Sequence, residues 1–534
     1  MTAITTAVQA KSTMTFMNGT DFSGVSGGAM SFVDLWDAWS ADALEAKKFE
    51  HNRGIFGILP TNCVGTPGTF HFSLKNDITN SGGKAGYYSF EHDDVRFGFE
   101  KGIEIRVGYT FDGSTTYHWR GRLYDATPMP DPKDPYVDVI CYGWLMEAQE
   151  QKFKATEVAV DQRGDQAVQT MLDILPNSKQ PIETSLDTGQ TTFPYVFDSE
   201  RDEKTSVISV FQKAAQSEIG KVYVNAGSSG EQLVFENSQH YVTESVVQYM
   251  FDNSISDIHT SYPERLVKTV IQVVVHPREI DLTDVVLGQV QKSFSIGGGV
   301  TKEVTLYFRD PNGVARVSSA SLAARVSGTD YVARANEDGT GADRTSDMTV
   351  AVATDDDGKA KTSGNSITLS IKNTAGTLFW VTVMQQKGKG IYMYDPLPYE
   401  ARSSDAIIRK HGERVLRFDM TYADDYNTAV NTADALLTTW QELICQVKGL
   451  TFYPERSDAL AEAFLDIDIG KRISVYLPRL GIYNDYFIAN MSVSRDEGLV
   501  ACTYGLAPTP SGNVCILDDT TYGVLDSEYA RVAL

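Results

Sequence analysis

The sequence GTFHFSLKN at residues 68–76 decides the fold class, because apolar and polar side chains alternate along it. A period of two is that of a β-strand with one buried face. The alternation returns in IEIRV at residues 103–107, and the Asp-Gly pair at residues 112–113 is typical of a tight hairpin turn. With further short strands predicted downstream, we expect segment 54–150 to form a small antiparallel barrel or sandwich.

A chain of 534 residues is too long for one hydrophobic core, so several domains are expected. Helical periodicity followed by a hairpin pattern predicts an α+β domain, and a stretch rich in Thr, Ser, Asp and Gly predicts a β-sandwich. Glycine-rich triplets at 297–299 and 388–390 are expected to flank this sandwich as flexible joints. The predicted class is α+β, mainly β and multidomain, with these segments: arm 1–53, β-segment 54–150, α+β domain 151–290, inserted β-sandwich 291–390, helix and second β-segment 391–510, and tail 511–534.

The formal net charge is −23, from 70 acidic and 47 basic residues. Such a chain repels phosphate backbones, which argues against a nucleic-acid grip. The charge would suit a wall past which DNA slides, and solubility alone explains it equally well. The five cysteines are far apart and form no C-x-x-C pair, which favours reduced thiols and folding in the cytoplasm. Without a signal-like start or a run of 18 apolar residues, neither classical export nor membrane embedding is expected.

Two terminal regions contain candidate contact residues. In residues 32–39 the apolar side chains recur at helical spacing, which predicts one stripe of a short amphipathic helix. Such a helix is marginal alone and needs a surface, either its own body or a neighbouring subunit. The acidic tail beyond residue 510 either contacts a partner or is a frayed terminus. The candidate interface residues are Phe32, Leu35, Trp36, Trp39, Tyr522 and Leu525.

Sequence motifs for chemistry fail in their contexts. Residues 24–28 (GVSGG) fit the G-x-S-x-G nucleophile elbow, but no strand precedes them and no α/β alternation surrounds Ser26. The eight histidines never pair at helical metal-ligand spacing, and the acidic turns at 338–339 and 355–358 lack both end ligands of a calcium loop. No phosphate-binding glycine loop occurs. We therefore predict no enzyme activity, no cofactor, and no catalytic, cofactor-binding or metal-binding residues.

Eight stretches occur along the chain in an informative order: GTFHFSLKN (68–76), KGIEIRV (101–107), YHWRGRL (117–123), VDVICYGWL (137–145), AAQSEIG (214–220), LVFEN (233–237), LDIDIGKRISV (465–475) and YFIANM (486–491). In this order they resemble the baseplate hub proteins, or minor tail proteins, of long-tailed bacteriophages. The resemblance covers residues 54–290 and 391–508. Each stretch alone is a common strand or cap pattern, and Gly143-Trp144 departs from the family's usual Asp-Ala.

The resemblance implies a homotrimer in which each subunit contributes two tail-tube-like β-barrels, here residues 54–150 and roughly 391–510. Six barrels would mate with a hexameric tail tube or distal tail protein, and the opposite face would carry a tail tip or fibre protein. Genome DNA would be present only in transit. The expected location is the virion tail, assembled in the host cytoplasm.

Two alternative functions stay open from the sequence. The β-sandwich 291–390 would bind a host glycan through Phe379 or Trp380, although at least one of these neighbours in a strand must face the core. A tail-associated hydrolase would use Ser26, and the missing strand context makes this the weaker alternative.

Overall fold

The computed structural model describes residues 4–12, 35–44, 47–130, 135–152, 156–198, 200, 205–252, 254–309, 316–354, 358, 360–442, 446–496 and 499–509. Within these ranges strands outnumber helices and form several sheets. The predicted class, mainly β and multidomain, is therefore confirmed. No helix among these residues is long and apolar enough to span a membrane.

The described helices are short. The α-helices are α1 (Leu145–Glu150), α2 (Gly164–Ile174), α3 (Val207–Glu218), α4 (His240–Thr243), α5 (Asp405–His411), α6 (Tyr426–Trp440) and α7 (Asp458–Asp466). Single 3-10 turns occur at Asn177–Lys179, Glu264–Leu266, Thr345–Asp347, Pro454–Arg456 and Pro478–Leu480. Side-chain caps start the two last helices: the Asp425 carboxylate accepts from the Asn427 N–H before α6, and the Ser457 hydroxyl accepts from the Leu460 N–H before α7.

The strands of the described residues are, in chain order, β1 (Thr5–Ser12), β2 (Leu35–Ala38), β3 (Phe49–Gly54), β4 (Thr66–Lys75), β5 (Glu104–Phe111), β6 (Ser114–Met129), β7 (Tyr136–Tyr142), β8 (Ala159–Arg163), β9 (Glu183–Leu186), β10 (Thr192–Val196), β11 (Lys221–Asn225), β12 (Gln232–Glu236), β13 (Val247–Phe251), β14 (Asp257–Ser261), β15 (Val270–Val275), β16 (Arg278–Ile280), β17 (Val285–Gln289), β18 (Phe294–Ile296), β19 (Thr301–Tyr307), β20 (Arg316–Leu322), β21 (Tyr331–Arg334), β22 (Met348–Val352), β23 (Thr362–Ser363), β24 (Ser366–Asn373), β25 (Phe379–Met393), β26 (Leu397–Arg402), β27 (Val415–Met420), β28 (Gln446–Phe452), β29 (Arg472–Leu477), β30 (Ile482–Asp496) and β31 (Leu499–Pro508).

Both β-segments predicted from the sequence feed one sheet of 13 strands. Its path is β14-β28-β31-β30-β3-β4-β7-β6-β5-β1-β2, and β29 and β13 branch from β30. Within the described ranges the sheet does not close on itself, so neither predicted barrel is closed by hydrogen bonds inside one chain. The hairpin predicted at residues 112–113 joins β5 to β6, with positive φ at Asp112 (48°) and Gly113 (78°), as a type I′ turn requires.

Twelve of the 13 strands form two six-stranded units with the same strand order, and the thirteenth, β2, pairs with β1. The first unit is β3-β4-β7-β6-β5-β1, and the second unit is β14-β28-β31-β30-β29-β13. All neighbouring strands are antiparallel in both units, except that β13 lies parallel to β29 whereas β1 lies antiparallel to β5. Each long strand carries one register shift against the next strand, at Tyr124 in β6 and at Ala489 in β30. The chain therefore contains the same architectural unit twice.

Each unit curls around an aromatic core. Phe70 stacks on Phe72 in the first unit, with ring centroids 4.5 Å apart. In the second unit the ring of Phe251, on terminal strand β13, lies 5.1 Å from that of Phe452 and 6.1 Å from that of Tyr504. These contacts cross the interior of the unit, because β13 is at one end of its strand order and β28 is near the other. The buried residues of both units belong to one hydrophobic cluster.

Two mixed layers lie beside the 13-stranded sheet. Helices α1, α2 and α3 share a core with sheet β11-β12-β9 and the pair β10-β8. Helix α6 covers sheet β26-β15-β27, and Trp440 closes that core. The predicted α+β segment 151–290 therefore supplies strands to neighbouring bodies, because β13 and β14 join the second unit and β15 joins the sheet under α6.

The insert contains two sheets that share one hydrophobic core, as in a β-sandwich. Strand β25 pairs with β16, β17, β18, β20 and β21, while β24 pairs with β19, β22 and β23. The prediction of a flexible joint at 388–390 is wrong, because these residues lie inside β25. A Cβ at Gly388 would collide with the Ser321 carbonyl, so glycine is required there for close strand approach.

The N-terminal prediction needs two corrections. Residues 35–38 form strand β2 and not the predicted helix, and β2 pairs with residues 9–12 of β1. Strand β1 pairs in turn with β5, so the described part of the predicted arm 1–53 belongs to the 13-stranded sheet. The helical spacing of the apolar residues was misleading, because a four-residue strand is too short to show its own period.

Candidate functional site

The two units meet at one continuous strand junction. Strand β30 pairs with β3 in antiparallel register, from Glu50 opposite Ser494 to Gly54 opposite Asn490. The pairing ends at the bulge, where the Ile55 N–H donates to the Ala489 carbonyl at 2.8 Å. At Gly54 φ is +104°, and a Cβ there would lie 2.5 Å from the Ala489 oxygen. Only glycine permits this approach, so the junction is defined by the backbone itself.

A buried ion pair fixes the junction to the mixed α/β layer. The Arg53 guanidinium lies 2.5 Å from the Asp468 carboxylate, and the Arg53 side chain is 3% exposed. The second Asp468 oxygen accepts the Ala226 N–H at 2.9 Å, and Arg53 also reaches the Asn225 side chain at 3.4 Å. Strands β3 and β11 and the loop before β29 are thereby held together. These contacts attach the two units rigidly to each other.

Two buried histidines lie beside this junction. His51 Nε2 is 2.9 Å from the Tyr109 hydroxyl, and the His118 ring packs 4.4 Å from that of Phe464. Neither ring nitrogen of His118 has a hydrogen-bond partner in the described structure. Burial, reinforced by the positive charge of Arg53, lowers the pKa of His118 to about 3. Burial also lowers the pKa of His51, so both imidazole rings are uncharged at neutral pH.

A third histidine joins the α/β layer to the second unit. His240 Nδ1 lies 2.9 Å from Asp187, and its Nε2 lies 3.0 Å from Glu236 and 3.3 Å from the Gly470 carbonyl oxygen. Burial alone would lower the pKa of His240, but the hydrogen bond to Asp187 and the charge of Glu236 raise it overall. When it is protonated, the ring donates from both nitrogens toward these three acceptors.

A cavity of about 710 Å³ opens between β6, α1 and the turn Asn177–Lys179. Its walls include a row of ion-paired side chains of alternating sign, formed by Lys11, Glu104, Arg120, Arg122, Glu147 and Lys179. Burial raises the pKa of the neighbouring Glu231 carboxyl to about 7. The four cations of the row share two carboxylates, so each cation already has an ionic partner within the cavity wall.

The predicted interface residues separate into three groups. Trp39 is 2% exposed, with its ring 5.5 Å from that of Tyr88, so it docks on the chain's own body. Trp36 is partly buried, and the Arg106 guanidinium lies 4.0 Å over its ring. Leu35 begins β2. Phe32, Tyr522 and Leu525 lie outside the described residues, as does Ser26.

The remaining sequence candidates have structural explanations where they are described. Phe379 is 1% exposed in the core of the insert, and Trp380 is half-buried. The Asp338 carboxylate accepts from both the N–H and the hydroxyl of Thr340, as in an ordinary polar turn. Residues 355–357 lie outside the described ranges. No cluster of three His, Cys, Asp or Glu suited to a metal occurs among the residues that were placed.

The sequence did not reveal two open strand edges in the 13-stranded sheet, which are additional to its terminal strands β2 and β13. Residues 125–129 of β6 pair with β7 on one side, and β14 pairs with β28 on one side; among the described strands nothing pairs with their other sides. A large aromatic residue stands exposed at each edge, Tyr124 at 51% and Tyr262 at 60%. Pairing between residues more than 400 positions apart leaves no local signal, so only the fold exposes these edges.

No family model matches the sequence, and no curated protein matches it. Solved structures with a similar arrangement include the 43 kDa tail protein of prophage MuSo2 from Shewanella oneidensis, at 9% identity, TM-score 0.49, and coverage of 95% of this chain and 99% of that one. A tail protein from Neisseria meningitidis MC58 has 8% identity, TM-score 0.46, and coverage of 94% and 96%. Prophage tail protein gp18 from Listeria monocytogenes EGD-e has 8% identity, TM-score 0.39, and coverage of 88% and 91%. All three are tail proteins, the class that the sequence patterns resemble.

Proposed function

We propose that this chain is a structural hub protein of a phage tail, which assembles as a homotrimer and joins a hexameric tail tube to a trimeric tail tip. The observation that carries the proposal is the repeat of one six-stranded unit within a single rigid sheet. Three copies supply six such units around one axis. Duplicated units are a physical way to match sixfold contacts on one face with threefold contacts on the other.

In this arrangement each unit becomes a tail-tube-like barrel when the ring closes, although neither is closed within one chain. The ring surrounds a passage for the genome. The net charge of −23 supports this role, because an acidic wall does not bind the DNA that must move past it. The tail tube or distal tail protein occupies one face and a tip or fibre protein the other, in the virion tail.

The rigid junction supports a mechanical role. Gly54 and the Arg53–Asp468 pair fix the angle between the two units, and a fixed angle is what a ring with six equivalent positions needs. The histidine bridge through His240 fixes the adjacent α/β layer to the same frame. We assign the chain no catalytic step.

The proposal is tested by measuring the mass of the purified full-length chain at micromolar concentration. One chain is 58.8 kDa, so three times that mass, about 176 kDa, is expected. A strict monomer, or a hexamer of full chains, would contradict the adaptor role. Negative-stain class averages of the same sample should show six density lobes around a threefold axis.

A further inference from the structure

In each unit one terminal strand and one long strand can pair with the other unit. Among the described strands only one such junction between units is formed. Strand β30 of the second unit pairs with β3 of the first. The equivalent strands by position in the two orders are β6 for β30 and β14 for β3. Among the described strands nothing pairs with the free sides of residues 125–129 of β6 and of β14, so the second junction is not made within one copy.

The register shifts align the two long strands residue by residue. The shift at Tyr124 in β6 corresponds to the shift at Ala489 in β30, so residues 125–129 correspond to residues 490–494. These are the residues of β30 that pair with β3. In β14, Ile258 lies opposite Leu450, as Phe49 in β3 lies opposite Phe72.

The neighbouring strands confirm that Leu450 and Phe72 are equivalent. Leu450 lies opposite Tyr504 in β31, and Phe72 lies opposite Val139 in β7. Tyr504 lies opposite Met491, and Val139 lies opposite Ala126. Met491 and Ala126 each lie two residues after the register shift of their own strand. The open edge of β14 is thereby aligned with β3, which makes Ser261 the counterpart of Asn52.

The second unit also has a vacant position for a strand. In the first unit, β30 lies beside β3 and its Arg495 side chain reaches Thr6 of β1 at 3.2 Å, while β2 pairs with residues 9–12 of β1. The terminal strands of the second unit, β13 and β14, have no described strand paired between them. Val247 and Met250 of β13 are 39% and 57% exposed there.

Resting on the proposed trimer, we infer that residues 125–129 of β6 pair antiparallel with β14 of the next copy, as β30 pairs with β3 within a copy. The internal register places Thr127 opposite Ser261 and Met129 opposite His259 of the neighbour. Backbone pairing supplies affinity with one hydrogen bond fewer than in the internal junction, because Pro128 has no N–H, and the exposed Tyr124 and Tyr262 become buried beside it. The partner is a second copy of this chain, and three such contacts close the ring and pair the free sides of β6 and β14 in every copy.

The test is disulfide cross-linking in the full chain with Thr127→Cys and Ser261→Cys combined. Directly opposed residues in antiparallel strands have Cα atoms about 4.5–5.5 Å apart, which is within disulfide range. Oxidation should give dimers and trimers on a non-reducing gel, and reduction should return them to monomers. The matched control combines Ser261→Cys with Thr115→Cys, at the far end of the same strand, and should give no specific product.

A second pair of variants reports on the contact without new thiols. Tyr262→Ser should weaken the trimer at least tenfold, whereas Tyr307→Ser, at a residue of similar exposure on the insert, should leave it unchanged. A chain of trimeric mass that neither cross-links at 127–261 nor responds to Tyr262→Ser overturns the strand pairing and leaves the hub proposal standing. A chain that stays monomeric overturns both.

Discussion

The two buried histidines beside the junction make this protein sensitive to acid, and His118 sets the magnitude. Its pKa is lowered to about 3 in the folded chain by burial and by Arg53, from an ordinary value of 6.5. Between pH 6.5 and about 3, His118 is therefore protonated in the unfolded chain and neutral in the folded chain. From pH 6.5 down to pH 4 the interval is about 2.5 pH units. At about 1.4 kcal/mol for each unit, the free energy of unfolding falls by roughly 3 kcal/mol. This stability is present above pH 6.5 and is lost as the pH falls.

The test compares wild type with His118→Phe, which keeps a ring against Tyr109 and Phe464 and removes the titrating group. Urea unfolding followed by tryptophan fluorescence should show wild type losing roughly 3 kcal/mol more than the variant between pH 7 and pH 4. The control His92→Phe changes an exposed side chain outside the core and outside the proposed contact, and it should follow wild type. Equal pH slopes for wild type and His118→Phe would refute the reasoning.

Three further perturbations follow from the contacts around the junction. Gly54→Ala should cost at least about 2 kcal/mol more than Gly113→Ala, which also has positive φ but meets open space, as thermal unfolding can measure. Arg53→Met should destabilise by about 3 kcal/mol, because it leaves the Asp468 carboxylate unpaired, and adding Asp468→Asn should recover part of that loss; no recovery would mean that the ion pair is not the cause. The pKa of His240 is raised in the folded chain. The contribution of His240 to the free energy of unfolding is therefore complete below pH 6.5 and is lost as the pH rises through the folded pKa. Wild type should therefore lose stability toward pH 9 relative to His240→Gln, and parallel profiles would count against the bridge.

Local sequence pattern predicted the strands well where one face is buried. Phe70, Phe72 and Leu74 are all fully buried, as their alternation in GTFHFSLKN indicated. The same rule failed at 35–38, where pairing with β1 forms a strand that the helical spacing did not indicate. At 388–390 glycine indicated flexibility, but the cause is steric, because another strand approaches the backbone closely. Period and propensity are local quantities, and both failures come from contacts distant in sequence.

The candidate assembly surfaces could not be predicted from the sequence at all. The predicted interface residue Trp39 is a core residue, and the exposed edge aromatics Tyr124 and Tyr262 carried no distinguishing pattern. What identifies them is the repeat of strand order in two segments of the chain, together with the pairing of β3 with β30. Such equivalence is a property of the fold, since hydrogen-bonded strands constrain backbone positions far more than side-chain identity.

The central claim is that one chain provides two equivalent positions in a ring, so that three chains occupy six. A cryo-electron microscopy map of the particle, sectioned through the ring that meets the tail tube, tests this directly. We expect three copies of this chain around the axis, with six six-stranded units at one radius and β6 of each copy beside β14 of the next. Six copies around the axis, or first and second units at different radii, would contradict it.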